Sequence, residues 1–155
     1  MSNFVLGTRS RAALVGVHPS LIKVVERAIE LTAQDFTVLE GVRSLDRQRV
    51  LKSHGKSKTM LSKHLRQSDG YGHAVDLAPL VNGSVVWEFE KIRPIVLAMR
   101  RASIEAGVKI VWGSIWDRNL AQLPDTLPGI ADAVDAYKAR HPGPDFIDGP
   151  HYQLA

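Results

Sequence analysis

Apolar residues recur at helical spacing after Ser20. Leu21, Val24, Val25, Ala28, Ile29 and Leu31 share one face, which predicts an amphipathic helix of about three turns with Ser20 as its N-cap. Phe36-Thr37-Val38-Leu39 follows as a short strand of aromatic and β-branched residues, closed by Gly41. Ser44 is placed to cap a second helix running to Lys52, and the Lys-, Ser- and Gly-rich stretch from His54 to Ser62 reads as a loop.

Residues 73–79 alternate as a strand, and Asn82-Gly83 between Leu80-Val81 and Val85-Val86 predicts an antiparallel hairpin. From Glu88 to Ala106 a longer helix presents Phe89, Ile92, Val96, Met99 and Ser103 on one side, with Pro94 expected in its first turn and Gly107 ending it. Lys109 to Trp112 is a further strand. Ser114 to Pro128 reads as irregular, a helix follows near 129–139, and breakers at His141-Pro142-Gly143-Pro144 precede a last strand pair flanking Gly149-Pro150. Strands and helices do not alternate as βαβ units. The expected class is α+β, a small antiparallel sheet with helices packed on one side, in a single domain spanning 1–155.

Composition narrows the chemistry. In 155 residues there is no cysteine, which excludes disulfides, thiolate nucleophiles, iron–sulfur clusters and cysteine-containing zinc fingers; any metal must be held by His, Asp or Glu. The net charge of +4 favours anionic partners, but the basic clusters Arg47/Arg49/Lys52, Lys56/Lys58/Lys63 and Arg100/Arg101 are scattered and read as solvated faces, so no nucleic-acid partner is expected. No stretch approaches the roughly 20 apolar residues of a membrane span, and the segment Met1–Val17 lacks the apolar core of a signal peptide. The expectation is a soluble monomer made in the cytoplasm without membrane insertion.

Of six histidines, His64, His73 and His151 stand in informative contexts. Asp76 lies in an otherwise apolar strand, where an unpaired carboxylate costs several kcal/mol unless a cation or hydrogen bonds satisfy it. Period-two alternation puts Asp76 on one face with Ala74 and Ala78, and sends His73 to the other with Val75 and Leu77. The same alternation pairs His151 with Gln153 and turns Tyr152 and Leu154 toward the core. His64, Asp76 and His151 thus offer two imidazoles and one carboxylate, the composition of a three-ligand catalytic zinc site. Peptide hydrolysis at such a site also needs a group to carry a proton from water to the leaving amine, and Asp148, three residues before His151 across a Gly-Pro turn, is the candidate. Arg43 is the candidate to face oxyanion or substrate charge. His18, His54 and His141 read as surface residues, and Trp87, Trp112 and Trp116 as core and cleft wall.

Ser62-Lys63-His64, Gly72-His73-Ala74-Val75-Asp76 and Asp148-Gly149-Pro150-His151-Tyr152-Gln153-Leu154 resemble the motifs of the D-alanyl-D-alanine carboxypeptidase-like zinc metallopeptidases. Within that family the chain is most similar to phage endolysins that cleave the L-alanyl-D-glutamate bond of peptidoglycan. Gly41-Val42-Arg43-Ser44 and Gln48 resemble the substrate-binding arginine segment. The resemblance implies a Hedgehog/DD-peptidase-like fold. It implies Zn²⁺ on His64, Asp76 and His151, catalysis by Asp148 and Arg43, and peptidoglycan stem peptides as substrate, reached after release through a separate pore. A D-alanyl-D-alanine carboxypeptidase or dipeptidase of the same family, or a non-enzymatic metal-stabilised binding domain, are the alternatives. This chain departs from the family pattern in three places. His64 and Asp76 are 12 positions apart, so Arg66-Gln67-Ser68-Asp69-Gly70 is an insertion expected to loop beside the site; Gly113-Ser114-Ile115-Trp116 replaces a Gly-Gly-Asp-Trp stretch, with Asp117 as the possible substitute acid; and Gln153 replaces a glutamate.

Overall fold

The computed structural model describes residues 4–55, 62–143 and 147–155. Helices α1 (Thr8–Leu14) and α2 (Pro19–Leu31) lead into strand β1 (Phe36–Glu40), followed by α3 (Leu45–Ser53), β2 (Ala74–Val81) and β3 (Ser84–Val85). The long helix α4 (Phe89–Ala106) then precedes β4 (Ile110–Trp112), β5 (Ile115–Asn119), a 3₁₀ turn at Leu120–Gln122, α5 (Leu127–Arg140) and β6 (His151–Leu154). The sheet runs β1-β2-β6-β4-β5, with β3 added to the end of β2, and every pairing is antiparallel.

Register decides which side chains meet. Val75, Tyr152 and Trp112 form one transverse row across β2, β6 and β4 and face the core with Leu77. One position along, Glu40, Asp76 and His151 form the next row across β1, β2 and β6, on the opposite face because strand side chains alternate. Helices α2 and α4 close the apolar side. α2 contributes Leu21, Val24, Val25, Ala28 and Ile29, and α4 contributes Ile92, Ile95, Val96, Met99 and Ala102. Each large aliphatic side chain buried in this way contributes about 1.5–3 kcal/mol, so a charge at Val24, which is fully buried, would break the layer.

Several elements differ from the sequence expectation. Helix α2 is capped two residues earlier than expected: Pro19 occupies its first position and His18, not Ser20, is the cap, its Nδ1 accepting from the Ser20 N–H at 3.1 Å. Pro94 lies beyond the first turn of α4, and the carbonyl it leaves unpaired belongs to exposed Glu90. Phe89, expected on the buried face, is partly exposed at the helix start and stacks on Trp112 with ring centroids 6.3 Å apart. The stretch after Ser114 carries β5 and the 3₁₀ turn, and α5 starts at Leu127 behind the Thr126 cap. Among the described residues of the carboxyl end one strand forms, β6, because Gly149-Pro150 is a turn leading into it. Most of the expected 54–62 loop lies outside the described residues. The hairpin forms as read, with Asn82 and Gly83 at φ 52° and 78°, and Gly107 ends α4 at φ 67°.

Candidate active site

Three segments deliver the three expected metal ligands to one point. β2 carries Asp76, β6 carries His151 as its transverse neighbour, and the 62–65 turn seats His64 against the end of β1. One ligand atom from each of His64, Asp76 and His151 lies within 4.8 Å of the others, so the group could bind a metal ion. Asp76 Oδ1 is 3.2 Å from His64 Nε2 and 3.3 Å from His151 Nδ1, and both imidazoles are buried.

The far nitrogens of the two rings reveal what the near ones offer. His64 Nδ1 lies 2.8 Å from the Gly41 carbonyl oxygen, and His151 Nε2 lies 2.8 Å from Gln153 Oε1. Both acceptors lack a proton, so each ring donates outward, and each neutral ring then turns a lone pair inward. Two lone pairs and a carboxylate oxygen converge with no donor between them. Only protons or a cation can satisfy that arrangement, and the donor set of two nitrogens and one oxygen fits a divalent transition metal.

The surrounding charge agrees. Where protons rather than a cation fill that gap, burial opposes the ionised form of Asp76, but hydrogen bonds from the protonated His151 and His64 rings and their positive charge outweigh it and hold the carboxyl far below the usual carboxylate range. For His151, burial disfavours the cation while the Asp76 hydrogen bond and charge overcome it, and its pKa is raised. Asp148 moves the other way: burial first, then the Asp76 charge, push its carboxyl up, against the pull of His151, His64 and Arg43. Asp148 is placed by backbone pairing, its N–H donating to the Gly113 carbonyl at 2.8 Å and its own carbonyl accepting from His151 N–H at 3.1 Å.

Arg43 reaches the site from behind. Its side chain is 9% exposed, and Nη2 stands 4.0 Å from Asp76 Oδ2. Its donors are largely engaged: Nε and Nη2 fork onto the Glu40 carboxylate at 2.6 and 3.0 Å, and Nη1 donates to Gln48 Oε1 at 2.6 Å. Glu40 was not among the sequence candidates, because an acid at a strand end carries no local sign that it will pair with an arginine in the turn beyond. Asp76, Glu40 and Asp148 against Arg43 leave two net negative charges, which a divalent cation would neutralise.

Other expectations resolve differently. Asp117 does not stand in for a site acid, because its carboxylate forks with Arg140 at 3.0 and 3.1 Å. Trp112 is core, Trp116 stands 5.4 Å from the His151 ring as a wall of the site, and Trp87 is neither, at 55% exposed. His18 is not an ordinary surface residue. With His73 and Asp69 it forms a second cluster, Asp69 Oδ2 lying 2.7 Å from His73 Nε2 and 3.9 Å from His18 Nε2. Here the polarity is reversed: His18 Nδ1 accepts the α2 cap bond, so its proton sits on Nε2, facing the carboxylate. That cluster is a polar clasp. It pins the 66–71 loop to the α1–α2 junction, where Gly72 also pairs with Gly16 and His18.

The fold recurs in a solved structure. The crystal structure of the Serratia marcescens L-Ala D-Glu endopeptidase ChiX superposes with a TM-score of 0.71 at 34% identity, covering 96% of this chain and 87% of that one. The L-alanyl-D-glutamate peptidase of Escherichia phage T5 is 33% identical over 119 residues, which is 74% of this chain and 83% of the relative. The model of the phage L-alanyl-D-glutamate peptidase family matches residues 1–155 from end to end, and the chain belongs to that family.

Proposed function

We propose that the chain is a single catalytic domain that hydrolyses the L-alanyl-D-glutamate bond of peptidoglycan stem peptides, with Zn²⁺ held by His64, Asp76 and His151. The observation that carries this reading is the convergence of two inward lone pairs and one carboxylate oxygen, beside a carboxyl whose proton affinity is raised. Zn²⁺ is the metal of choice because two imidazoles and a carboxylate are its usual three-ligand catalytic set, whereas Mg²⁺ and Ca²⁺ take oxygen. When bound it supplies a Lewis acid that polarises a carbonyl and brings the pKa of a water toward about 7.

The remaining work belongs to the protein. Asp148 takes the proton of the attacking water and passes it to the leaving amine, a role suited to a carboxyl made more basic by burial and by Asp76. Arg43, held by Glu40 and Gln48, supplies fixed positive charge against the developing oxyanion. Trp116 walls the site next to His151 and limits the approach of the substrate. The enzyme acts as a monomer on the cell wall, and no helix among the described residues is long and apolar enough to cross a membrane.

Digestion of purified peptidoglycan, with the new termini identified before and after chelation, tests the proposal. New amino-terminal D-glutamate that vanishes on chelation and returns with Zn²⁺ is expected. Release of free D-alanine with the L-Ala–D-Glu bond intact would assign the carboxypeptidase alternative, and Zn²⁺ binding without any cleavage would assign a binding domain.

A further inference from the structure

The ring of His151 is held from its far side by one side chain. β6 places residues 151 and 153 on the same face, and Gln153 lies across from Ala74, whose methyl group leaves room for the long amide to reach back toward the ring. Gln153 Oε1 accepts from His151 Nε2–H at 2.8 Å. The matching anchor of His64 is a main-chain carbonyl, at Gly41, which no side-chain substitution removes. The two imidazoles are therefore fixed by neutral oxygens, one replaceable and one not.

The neutrality has a local reason. Three carboxylates, Asp76, Glu40 and Asp148, already crowd this face against the single guanidinium of Arg43. An amide oxygen can accept the imidazole proton without adding a fourth negative charge, but it polarises the ring less than a carboxylate would.

We infer that Gln153 is a positioning residue for the metal centre: it selects the His151 tautomer whose Nδ1 lone pair faces Asp76, and as an uncharged acceptor it sets a Zn²⁺ affinity lower than a carboxylate at the same place would give. This rests on the reading of His64, Asp76 and His151 as a zinc centre.

The test measures Zn²⁺ affinity of the full chain by competition with a chromophoric chelator at fixed pH, for the wild type, Gln153→Leu and Gln153→Glu. Thermal melts accompany each variant to verify folding. Gln153→Leu, which keeps the bulk and removes the acceptor, is expected to weaken binding about 10- to 100-fold, and Gln153→Glu to tighten it at least several-fold. Nitrogen-15 NMR of the metal-free wild type should show His151 protonated on Nε2 at neutral to alkaline pH, a preference lost in Gln153→Leu. Equal affinities in the wild type and Gln153→Glu would overturn the inference, even if Gln153→Leu fails to fold. A wild type that binds no Zn²⁺ would instead overturn the zinc reading on which the inference depends.

Discussion

Gly113 and Asp148 pass backbone to backbone so closely that a Cβ at 113 would overlap the Asp148 carbonyl oxygen. The Asp148 N–H bonds to the Gly113 carbonyl at 2.8 Å, and the Gly113 N–H bonds to the His151 carbonyl at the same distance. Asp148 and His151 thus hang from one glycine. Gly113→Ala should displace the turn that aims the Asp148 carboxylate, lowering kcat/KM at least tenfold and stability by about 1–3 kcal/mol. Peptidoglycan turnover and urea denaturation of the variant check both effects.

Asp148→Asn keeps the shape of the turn and removes the proposed base. Loss of a positioned general acid–base group costs about 10²–10⁴ in rate, so kcat should fall by that factor while Zn²⁺ content stays at the wild-type level. Metal analysis of the purified variant alongside kinetics separates this from damage to the ligands. Full lytic activity in a folded, zinc-loaded Asp148→Ala protein would contradict the mechanism.

Glu40 and Arg43 form a two-pronged pair at the rim of the site, with side chains 27% and 9% exposed. Glu40→Ala would leave the guanidinium without its main partner, and the expected loss is about 2 kcal/mol, reduced from the fully buried case because Glu40 meets solvent. Arg43→Lys cannot reproduce the fork and should lose activity as well as stability. Denaturation midpoints and kcat/KM of both variants test the pair.

Removal of the metal should act on stability as well as on rate. A cation that binds the folded chain in 100-fold excess over its Kd stabilises it by about 2.7 kcal/mol, so chelation should lower the melting temperature and Zn²⁺ should restore it. Scanning calorimetry with and without chelator measures the shift.

Asp69 gives the 66–71 loop a pH signature. The Tyr71 N–H, followed by His73 and His18, holds its carboxyl below the ordinary value. The folded state therefore prefers the ionised form. Its contribution is present above the unfolded-state pKa of about 3.9 and disappears as pH falls through the lower folded-state value. The gap in urea midpoint between wild type and Asp69→Asn should be open at pH 6 and narrow progressively as the pH falls below about 3.9.

What could be read in advance follows the range of each interaction. The α2 face, the Asn82-Gly83 hairpin and the alternation around Asp76 are local patterns, and each appears in the structure. α1 escaped because it buries only Ser10 and Leu14, too few for a periodic signal. β5 escaped because Ile115 alone is buried among polar neighbours. The His18 cap was legible in Pro19, which suits the first helical position, whereas the Glu40–Arg43 fork joins a strand end to the turn after it and had no periodic spacing to mark it. The clasp ties His18 to Asp69 and His73 far along the chain, and nothing local announces that link.

The position of β6 in the sheet carries a consequence for assembly. β1, β2 and β3 form one flap and β4 and β5 another, and β6 is the seam between β2 and β4. Asp76 belongs to the first flap and His151 to the seam itself, so the metal-binding group exists only once β6 has been inserted in register. A slip of one residue would rotate His151 into the apolar layer and bring Tyr152 opposite the carboxylate. Zinc uptake during refolding would therefore time the closing of the sheet. A cation arriving there would lock the two flaps together at the moment the hydrolytic centre comes into being.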